Sequence, residues 1–172
     1  MKKIKASLLS FFILTCFALL YVFEAKAEIP NCFVISVTDG DTFKAIYQGK
    51  IINCRLAMID APELKQAYGA ASRDSLARLI SNKTGTLTVL RQDRYNRALV
   101  KLAIGNSDVQ ECMLEKGMAW VYTNYTHDKY LQLLELNAQT LQAGLWACKR
   151  RIPPWQFRGL SKTAKQFFAG CG

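Results

Sequence analysis

Short apolar runs separated by charged turns predict an antiparallel sheet in the first half of the chain. FVISVT at residues 33–38 and TFKAIY at residues 42–47 are rich in β-branched and aromatic residues, which favour strands. Asp39 and Gly40 lie between them, and Asp-Gly is a common pair at the tip of a hairpin. A third run follows at residues 51–59, so the pattern predicts a three-stranded meander.

The period of the apolar positions then changes. Residues 67–85 place apolar side chains close to a 3.6-residue repeat, and they predict a first helix that stops at Gly85. Residues 86–91 and 98–104 again read as strands, joined by the charged loop QDRYNR.

Two further helices are predicted near the end of the domain. Residues 109–116 follow Ser107-Asp108, and residues 128–142 follow Thr126, which are suitable N-terminal caps. The order of elements is β-β-β-α-β-β-α-α. It predicts an α+β, β-rich fold, a five-stranded OB-type Greek-key barrel with three helices, whose face often binds nucleic acid.

The N-terminal residues have the pattern of an export signal. Three lysines precede an uncharged, mostly apolar run at residues 8–23, and Ala25-Lys26-Ala27 is a small-x-small cleavage pattern. Cleavage near Ala27 predicts a periplasmic or secreted protein. Counted from Ala6, the run has 18 residues, so an uncleaved membrane anchor stays an alternative. We expect a signal peptide at 1–27, the main domain at 28–158 and a C-terminal tail at 159–172.

The net charge points to a polyanionic partner. The 172 residues carry a formal charge of +10, and removal of residues 1–27 leaves 19 basic against 12 acidic residues. Such an excess favours nucleic acid through phosphate neutralisation and counterion release. Two alternatives are equally compatible with this excess of basic residues: a solvated surface without a polyanionic partner, and an anchored protein whose basic face meets anionic lipid.

The cysteine and histidine content limits the kinds of metal site and catalytic site that the chain can form. After cleavage five cysteines remain, and an oxidising compartment favours disulfides whose pairing the sequence does not choose. They are Cys32, Cys54, Cys112, Cys148 and Cys171. His127 is the only histidine and there is no CxxC pair, which argues against a zinc site and against Ser-His or Cys-His catalysis. We expect His127 in the first turn of a helix, without a chemical role.

Charged residues recur where the predicted strands end. These residues are Asp39, Asp41, Arg55, Asp60, Glu63, Arg94 and Arg97. Such a set suits phosphate chemistry, because carboxylates can hold a divalent cation, a further carboxylate can take a proton from water, and guanidinium groups bind phosphate oxygens. An EF-hand is excluded, since Lys44 and Lys50 occupy the positions of the required Gly and Glu.

One local rule opposes this arrangement. Arg55 and Asp60 are five residues apart, so strict alternation would put them on opposite faces of the third strand. A bulge, or a strand that ends before Asp60, must bring the two side chains together.

Four motifs together resemble the staphylococcal (micrococcal) nuclease-like, or thermonuclease, family. They are VTDGDTF, RLAMIDAPE, DRYNR and KGMAWVY, and they cover nearly all of residues 33–158 in the family's order. The ending GLW...PPWQFR is similar to exported bacterial members. The resemblance implies calcium-dependent hydrolysis of DNA and RNA phosphodiesters by an OB-type barrel. Ca²⁺ is then the cofactor, and we expect a monomer without an obligate protein partner.

The resemblance also implies a metal site. Asp41 and Asp60 match the calcium ligands, and Asp39 lies beside them. The family pattern has Thr where Ala61 stands, but the ligand there is a backbone carbonyl, which Ala61 also supplies.

The remaining roles follow from the same motifs. Glu63 matches the general base, and Arg55 and Arg97 match the arginines that bind phosphate. The positions matched to substrate contact are Arg94, Tyr95, Tyr122 and Tyr125. Asn96 replaces the usual Gly of DRYGR, and Asn tolerates positive φ better than most residues.

The alternative function is a non-catalytic OB-fold module that binds nucleic acid. Such domains lack the acids and arginines that this chain keeps. The aromatic residues Trp120 and Trp146 are predicted to pack in the core rather than to stack on bases.

Overall fold

The computed structural model describes residues 27–171, so the signal peptide predicted at residues 1–27 lies outside the described residues except for Ala27. The strands are β1 Ala27–Val37, β2 Thr42–Tyr47, β3 Lys50–Leu56, β4 Ile59–Asp60, β5 Thr84–Gln92, β6 Ala98–Ile104, β7 Ser107–Asp108 and β8 Trp120–Val121. The helices are α1 Gly69–Ile80, α2 Val109–Glu115, α3 Lys129–Thr140, a 3-10 helix Gly144–Ala147, α4 Pro154–Gly159 and α5 Lys162–Phe167.

Five strands close into a barrel. Antiparallel neighbours follow the order β3-β2-β1-β5-β6, and β3 then pairs with β6 in parallel, with Leu56 opposite Val100. The predicted α+β barrel of five strands is therefore confirmed. The described residues contain more helices than the three expected, because α4 and α5 follow the last predicted helix.

The barrel interior is filled by the inward-facing residues of alternating strands. Phe43, Leu56 and Leu102 are almost completely buried, as the period of two along each strand requires. Helices α1 and α2 cover the barrel with Leu76 and Met113. A smaller cluster contains Trp146, which lies 4.3 Å from Trp120 in an edge-to-face pair. Both tryptophans pack as predicted.

The third strand is shorter than predicted. Its early end explains how the side chains of Arg55 and Asp60 reach the same side of the chain. Strand β3 ends at Leu56, and Met58 has a left-handed φ of 68°. The chain then forms β4, which pairs with β8 instead of continuing in the barrel. Because the alternation is interrupted at this turn, Arg55 and Asp60 lie on the same side.

Two predicted helix boundaries are wrong. Helix α1 ends at Ile80, and Gly85 lies in β5, where a Cβ would come within 2.6 Å of the Ala103 carbonyl oxygen. Gly85 is therefore required by strand packing and not by a helix end. Helix α3 is capped by Asp128, whose carboxylate accepts from the backbone N–H groups of Tyr130 and Leu131, and not by Thr126.

The predicted cap of α2 is confirmed, and the predicted position of His127 is wrong. Helix α2 is capped as expected, since Asp108 accepts from the Glu111 N–H at 3.1 Å. His127 precedes α3 and is exposed, so it does not lie in the first turn of that helix.

The C-terminal segment is folded back onto the domain. A disulfide joins Cys148 and Cys171, with their Cα atoms 4.7 Å apart, while Cys32, Cys54 and Cys112 are free. The backbone N–H of Ala67 donates to the Phe168 carbonyl at 2.9 Å, which ties the segment after α5 to the segment before α1. Between residues 27 and 171, no helix is long and apolar enough to cross a membrane.

Candidate active site

One cavity of about 630 Å³ is lined by every side chain that the sequence singled out for chemistry or binding. These residues are Asp39, Asp41, Arg55, Asp60, Ala61, Glu63, Arg94, Tyr95, Arg97, Tyr122 and Tyr125. Residues from the β1–β2 loop, β3, β4, the β5–β6 loop and the segment after β8 therefore meet at one end of the barrel. The structure adds Arg158 from α4, to which the sequence analysis gave no role.

The acidic turn between β1 and β2 is pressed against the rest of the site. The Asp41 N–H donates to Asp39 Oδ1 at 3.0 Å, which closes the turn, and the Asp41 carbonyl accepts from the Leu56 N–H at 2.8 Å. A Cβ on Gly40 would collide with the Ser72 hydroxyl and lie 2.6 Å from the Ala61 Cβ. Only glycine lets this turn approach so closely to α1 and to the chain after β4.

Arg55 joins the two buried carboxylates. Its Nη2 lies 2.8 Å from Asp41 Oδ2 and 2.6 Å from Asp60 Oδ1. Asp41 also accepts from the Ala61 N–H at 3.1 Å and from the Thr42 hydroxyl at 2.9 Å. Asp41 and Asp60 are only 5% and 1% exposed, so two negative charges are held inside the protein by one shared guanidinium nitrogen.

Burial dominates the electrostatics of these two acids. Burial raises the pKa of Asp41 to about 6, although the positive charge of Arg55 opposes the shift. Burial also raises the pKa of Asp60 above its ordinary value, against hydrogen bonds from Arg158 and the charge of Arg55. The neighbouring arginines therefore offset only part of the cost of burying the two carboxylates.

Arg158 forms the other half of the acid network. Its Nη2 donates to Asp60 Oδ2 at 2.7 Å, and its Nη1 donates to Asp60 Oδ1 at 3.2 Å and to Glu63 Oε1 at 2.9 Å. Burial acts to lower the pKa of Arg158, but these hydrogen bonds outweigh it and hold the pKa above its ordinary value. Arg158 thus links Asp60, which is buried, to Glu63, which is partly open to the cavity.

The β5–β6 loop presents Arg97 from the opposite side. Asp93 accepts from the backbone N–H groups of Tyr95 and Arg97, each at 2.9 Å, and from Arg97 Nε at 2.8 Å. Asn96 has a φ of 61°, the left-handed conformation expected for the residue that replaces Gly in this motif. Arg97 Nη1 lies 3.3 Å from the Thr42 hydroxyl, which itself donates to Asp41. Arg97 is therefore connected to the acidic side of the cavity through one threonine.

Aromatic side chains form the rim of the cavity. The Tyr122 ring is stacked on Trp155 with centroids 5.2 Å apart and meets Tyr125 edge to face at 4.7 Å. The Arg91 guanidinium lies 4.9 Å from the centre of the Tyr125 ring. Tyr95 is 64% exposed and Tyr125 is 61% exposed, so both present ring surface to solvent beside positive charge.

The donor set can hold a hard cation only with help from outside the protein. Within residues 27–171, no group of three or more His, Cys, Asp or Glu side chains is arranged to hold a metal ion. Asp41 and Asp60 supply two carboxylates that lie close together, since Arg55 Nη2 contacts one oxygen of each. Two carboxylates and a backbone carbonyl fit calcium if water or phosphate oxygens complete its coordination.

The fold and the cavity define an OB-type barrel whose open end combines buried carboxylates with arginines. Residues 53–148, more than half of the chain, match the family described as staphylococcal nuclease homologue. The chain belongs to this family, and the resemblance inferred from its four motifs is confirmed.

Curated relatives cover most of this chain and most of their own length. The chain is 40% identical over 126 residues to an uncharacterized endonuclease of Escherichia coli O157:H7, covering 73% of this chain and 82% of that protein. It is 40% identical over 142 residues to an uncharacterized endonuclease of Haemophilus influenzae, covering 81% and 79%. It is 33% identical over 142 residues to the micrococcal nuclease of Shigella flexneri, covering 76% and 82%.

The packing of the acidic turn leads to a stability prediction. Gly40→Ala should lower the free energy of unfolding by about 1–3 kcal/mol, because the added methyl group must displace Ser72 or Ala61. Gly170→Ala is the matched control, since a Cβ at Gly170 meets nothing within 4 Å. Urea unfolding of both variants measures the difference. Equal stability of the two variants would contradict the tight packing of this turn.

Proposed function

We propose that this protein is an exported, calcium-dependent nuclease that hydrolyses phosphodiester bonds in DNA and RNA. The observation that carries the proposal is the meeting of Asp41, Asp60, Glu63, Arg55 and Arg97 in one cavity of a staphylococcal nuclease homologue. Relatives named endonuclease and micrococcal nuclease support nuclease activity.

Asp41 and Asp60 would hold the calcium ion together with the backbone carbonyl of Ala61. Calcium bound there would polarise a phosphate oxygen and stabilise the charge that develops on it. Both carboxylates are kept in place by Arg55, and the Ala61 N–H fixes one oxygen of Asp41. Asp39 closes the turn that carries Asp41, so it would act by positioning this ligand.

Glu63 is the residue that would take a proton from the attacking water. Its side chain is 40% exposed and lines the cavity, so water can reach it, unlike the buried Asp60 three residues before. A general base must lie within hydrogen-bonding reach of the water that it activates. Glu63 meets this requirement more readily than either buried acid.

Arg55 and Arg97 would bind the phosphate from two sides. Asp93 holds Arg97 through Nε, Nη2 and the backbone N–H, and Thr42 accepts from Nη1, so one N–H on each Nη is left to donate to phosphate. Arg55 lies between the two acids and would face the same phosphate from the metal side. Charge on the phosphate oxygens rises during hydrolysis, so fixed guanidinium groups stabilise that change.

The rim would contact the nucleotides beside the cleaved bond. Tyr95, Tyr122 and Tyr125 offer ring surfaces for stacking or hydroxyl groups for phosphate, and Arg94 adds a positive charge. Such contacts accept any base, which suits hydrolysis of both DNA and RNA.

Substitution of the proposed base tests its role. Glu63→Gln should lower the turnover number on DNA and RNA by roughly 10²–10⁴, because an amide cannot accept the proton. Glu115→Gln is the control, since Glu115 is exposed at the end of α2 and does not line the cavity. Steady-state cleavage assays of both variants give the comparison, and an unchanged turnover number for Glu63→Gln would remove Glu63 from this role.

Removal of calcium tests the cofactor. A calcium chelator should abolish cleavage of both nucleic acids, and added calcium should restore it, because Asp41 and Asp60 cannot polarise a phosphate without a cation. Gel assays in chelator, calcium or magnesium measure the effect. Full cleavage in chelator would reject calcium dependence.

Export is the part of the proposal that rests on the N-terminal pattern. A disulfide between Cys148 and Cys171 agrees with an oxidising compartment. We expect cleavage after Ala27, residues 28–158 as the nuclease domain and 159–172 as its tail. N-terminal sequencing of the protein recovered outside the cytoplasm should then begin at Glu28. A membrane-bound protein that begins at Met1 would favour the uncleaved anchor instead.

A further inference from the structure

Arg158 holds the two acids that the proposed reaction needs most. It donates to both oxygens of Asp60 and to one oxygen of Glu63, at 2.7 to 3.2 Å. This places one guanidinium group across the proposed metal ligand and the proposed base. Both oxygens of Asp60 are therefore engaged, while Arg158 contacts only Oε1 of Glu63.

Asp60 is fully engaged by arginines. Arg55 Nη2 contacts Asp60 Oδ1 at 2.6 Å, and Arg158 contacts Oδ1 and Oδ2. A divalent cation bound to Asp60 would stand within a few ångströms of the Arg158 guanidinium, and like charges at that distance repel. The cation and Arg158 therefore compete for the same carboxylate.

The backbone that carries Arg158 is firmly attached, but its side chain has room to move. Pro154 and Phe157 of α4 are buried, and Lys165 Nζ donates to the Arg158 carbonyl at 3.1 Å. Arg158 itself is 39% exposed at its side chain and faces the open cavity. A long, flexible side chain on a fixed helix can leave Asp60 without unfolding any element.

The attachment also links α4 to the segment of Glu63. Gln66 accepts from the Glu63 N–H at 3.2 Å and donates to the Ile152 carbonyl at 2.5 Å. The segment that leads into α4 and the segment that bears Glu63 are thus joined by one side chain, which keeps the start of α4 close to both acids.

We propose that Arg158 is a positioning residue that holds Asp60 and Glu63 in the calcium-free protein and yields Asp60 to the cation. The inference rests on the proposed function, because it takes Asp60 as a calcium ligand. Its consequence is that Arg158 lowers the apparent affinity of the site for calcium while keeping both acids in place before calcium binds.

Calcium affinity measured without nucleic acid tests this competition. Arg158→Gln should bind calcium about tenfold more tightly than the wild type, because a hydrogen-bonded charge no longer has to leave Asp60. Arg73→Gln is the matched control, because it removes the same charge at a position away from the cavity. Arg73 lies on α1, where its side chain is 41% exposed and pairs with Asp74. The dissociation constant of Arg73→Gln should stay within about twofold of the wild type.

Isothermal titration with calcium chloride gives the dissociation constants, and thermal unfolding in chelator shows whether each variant folds. Arg158→Lys keeps the charge but loses the forked contact, so it should bind calcium with an affinity between the wild type and Arg158→Gln. If Arg158→Gln does not fold, the calcium affinity of Arg158→Lys is compared with that of the wild type instead.

Two failures can be told apart. If the wild type binds calcium but Arg158→Gln binds it equally or more weakly, the competition is refuted and the proposed calcium site stands. If the wild type binds no calcium in the titration, the proposed calcium dependence is refuted, and the proposed competition at Asp60 is refuted with it.

Discussion

The contact of Arg55 with Asp41 and Asp60 is the interaction on which the site depends. The two carboxylates come from the β1–β2 turn and from β4, and they would repel each other in surroundings that exclude water. One guanidinium nitrogen touches both, so it holds the start of β2 against β4. Because Ala61 and Glu63 follow β4 directly, their positions depend on the same contact.

Charge is arranged in layers around this contact. The acids are buried or partly buried, arginines touch them from both sides, and further arginines and tyrosines form the rim. A protein with a formal charge of +10 attracts a polyanion over distance, but phosphate would be repelled by bare carboxylates at close range. A cation between them would turn that repulsion into attraction, which is why a basic protein can use an acidic turn to bind phosphate.

The parts of the site that could be predicted are those whose position is determined by residues close to them in the sequence. Asp39, Gly40 and Asp41 stand between two clear strands, and Asn96 replaces a glycine in a turn that needs positive φ, so each has a local physical reason to be where it is. Arg158 has none, because its partner Asp60 lies 98 residues away and nothing in PPWQFR indicates which acid it meets. The break after Leu56 was required by the chemistry, but local propensity does not reveal that Met58 adopts a left-handed conformation.

A crystal structure of the Glu63→Gln variant with calcium and a short oligonucleotide would show whether Asp41 and Asp60 hold the ion beside the phosphate. Anomalous scattering would distinguish the calcium ion from a water molecule. We expect one ion coordinated by Asp41 and Asp60, with an oxygen of a phosphate in its coordination shell and Arg55 and Arg97 donating to that phosphate. An ion bound away from both carboxylates, or a phosphate held by neither arginine, would contradict this expectation.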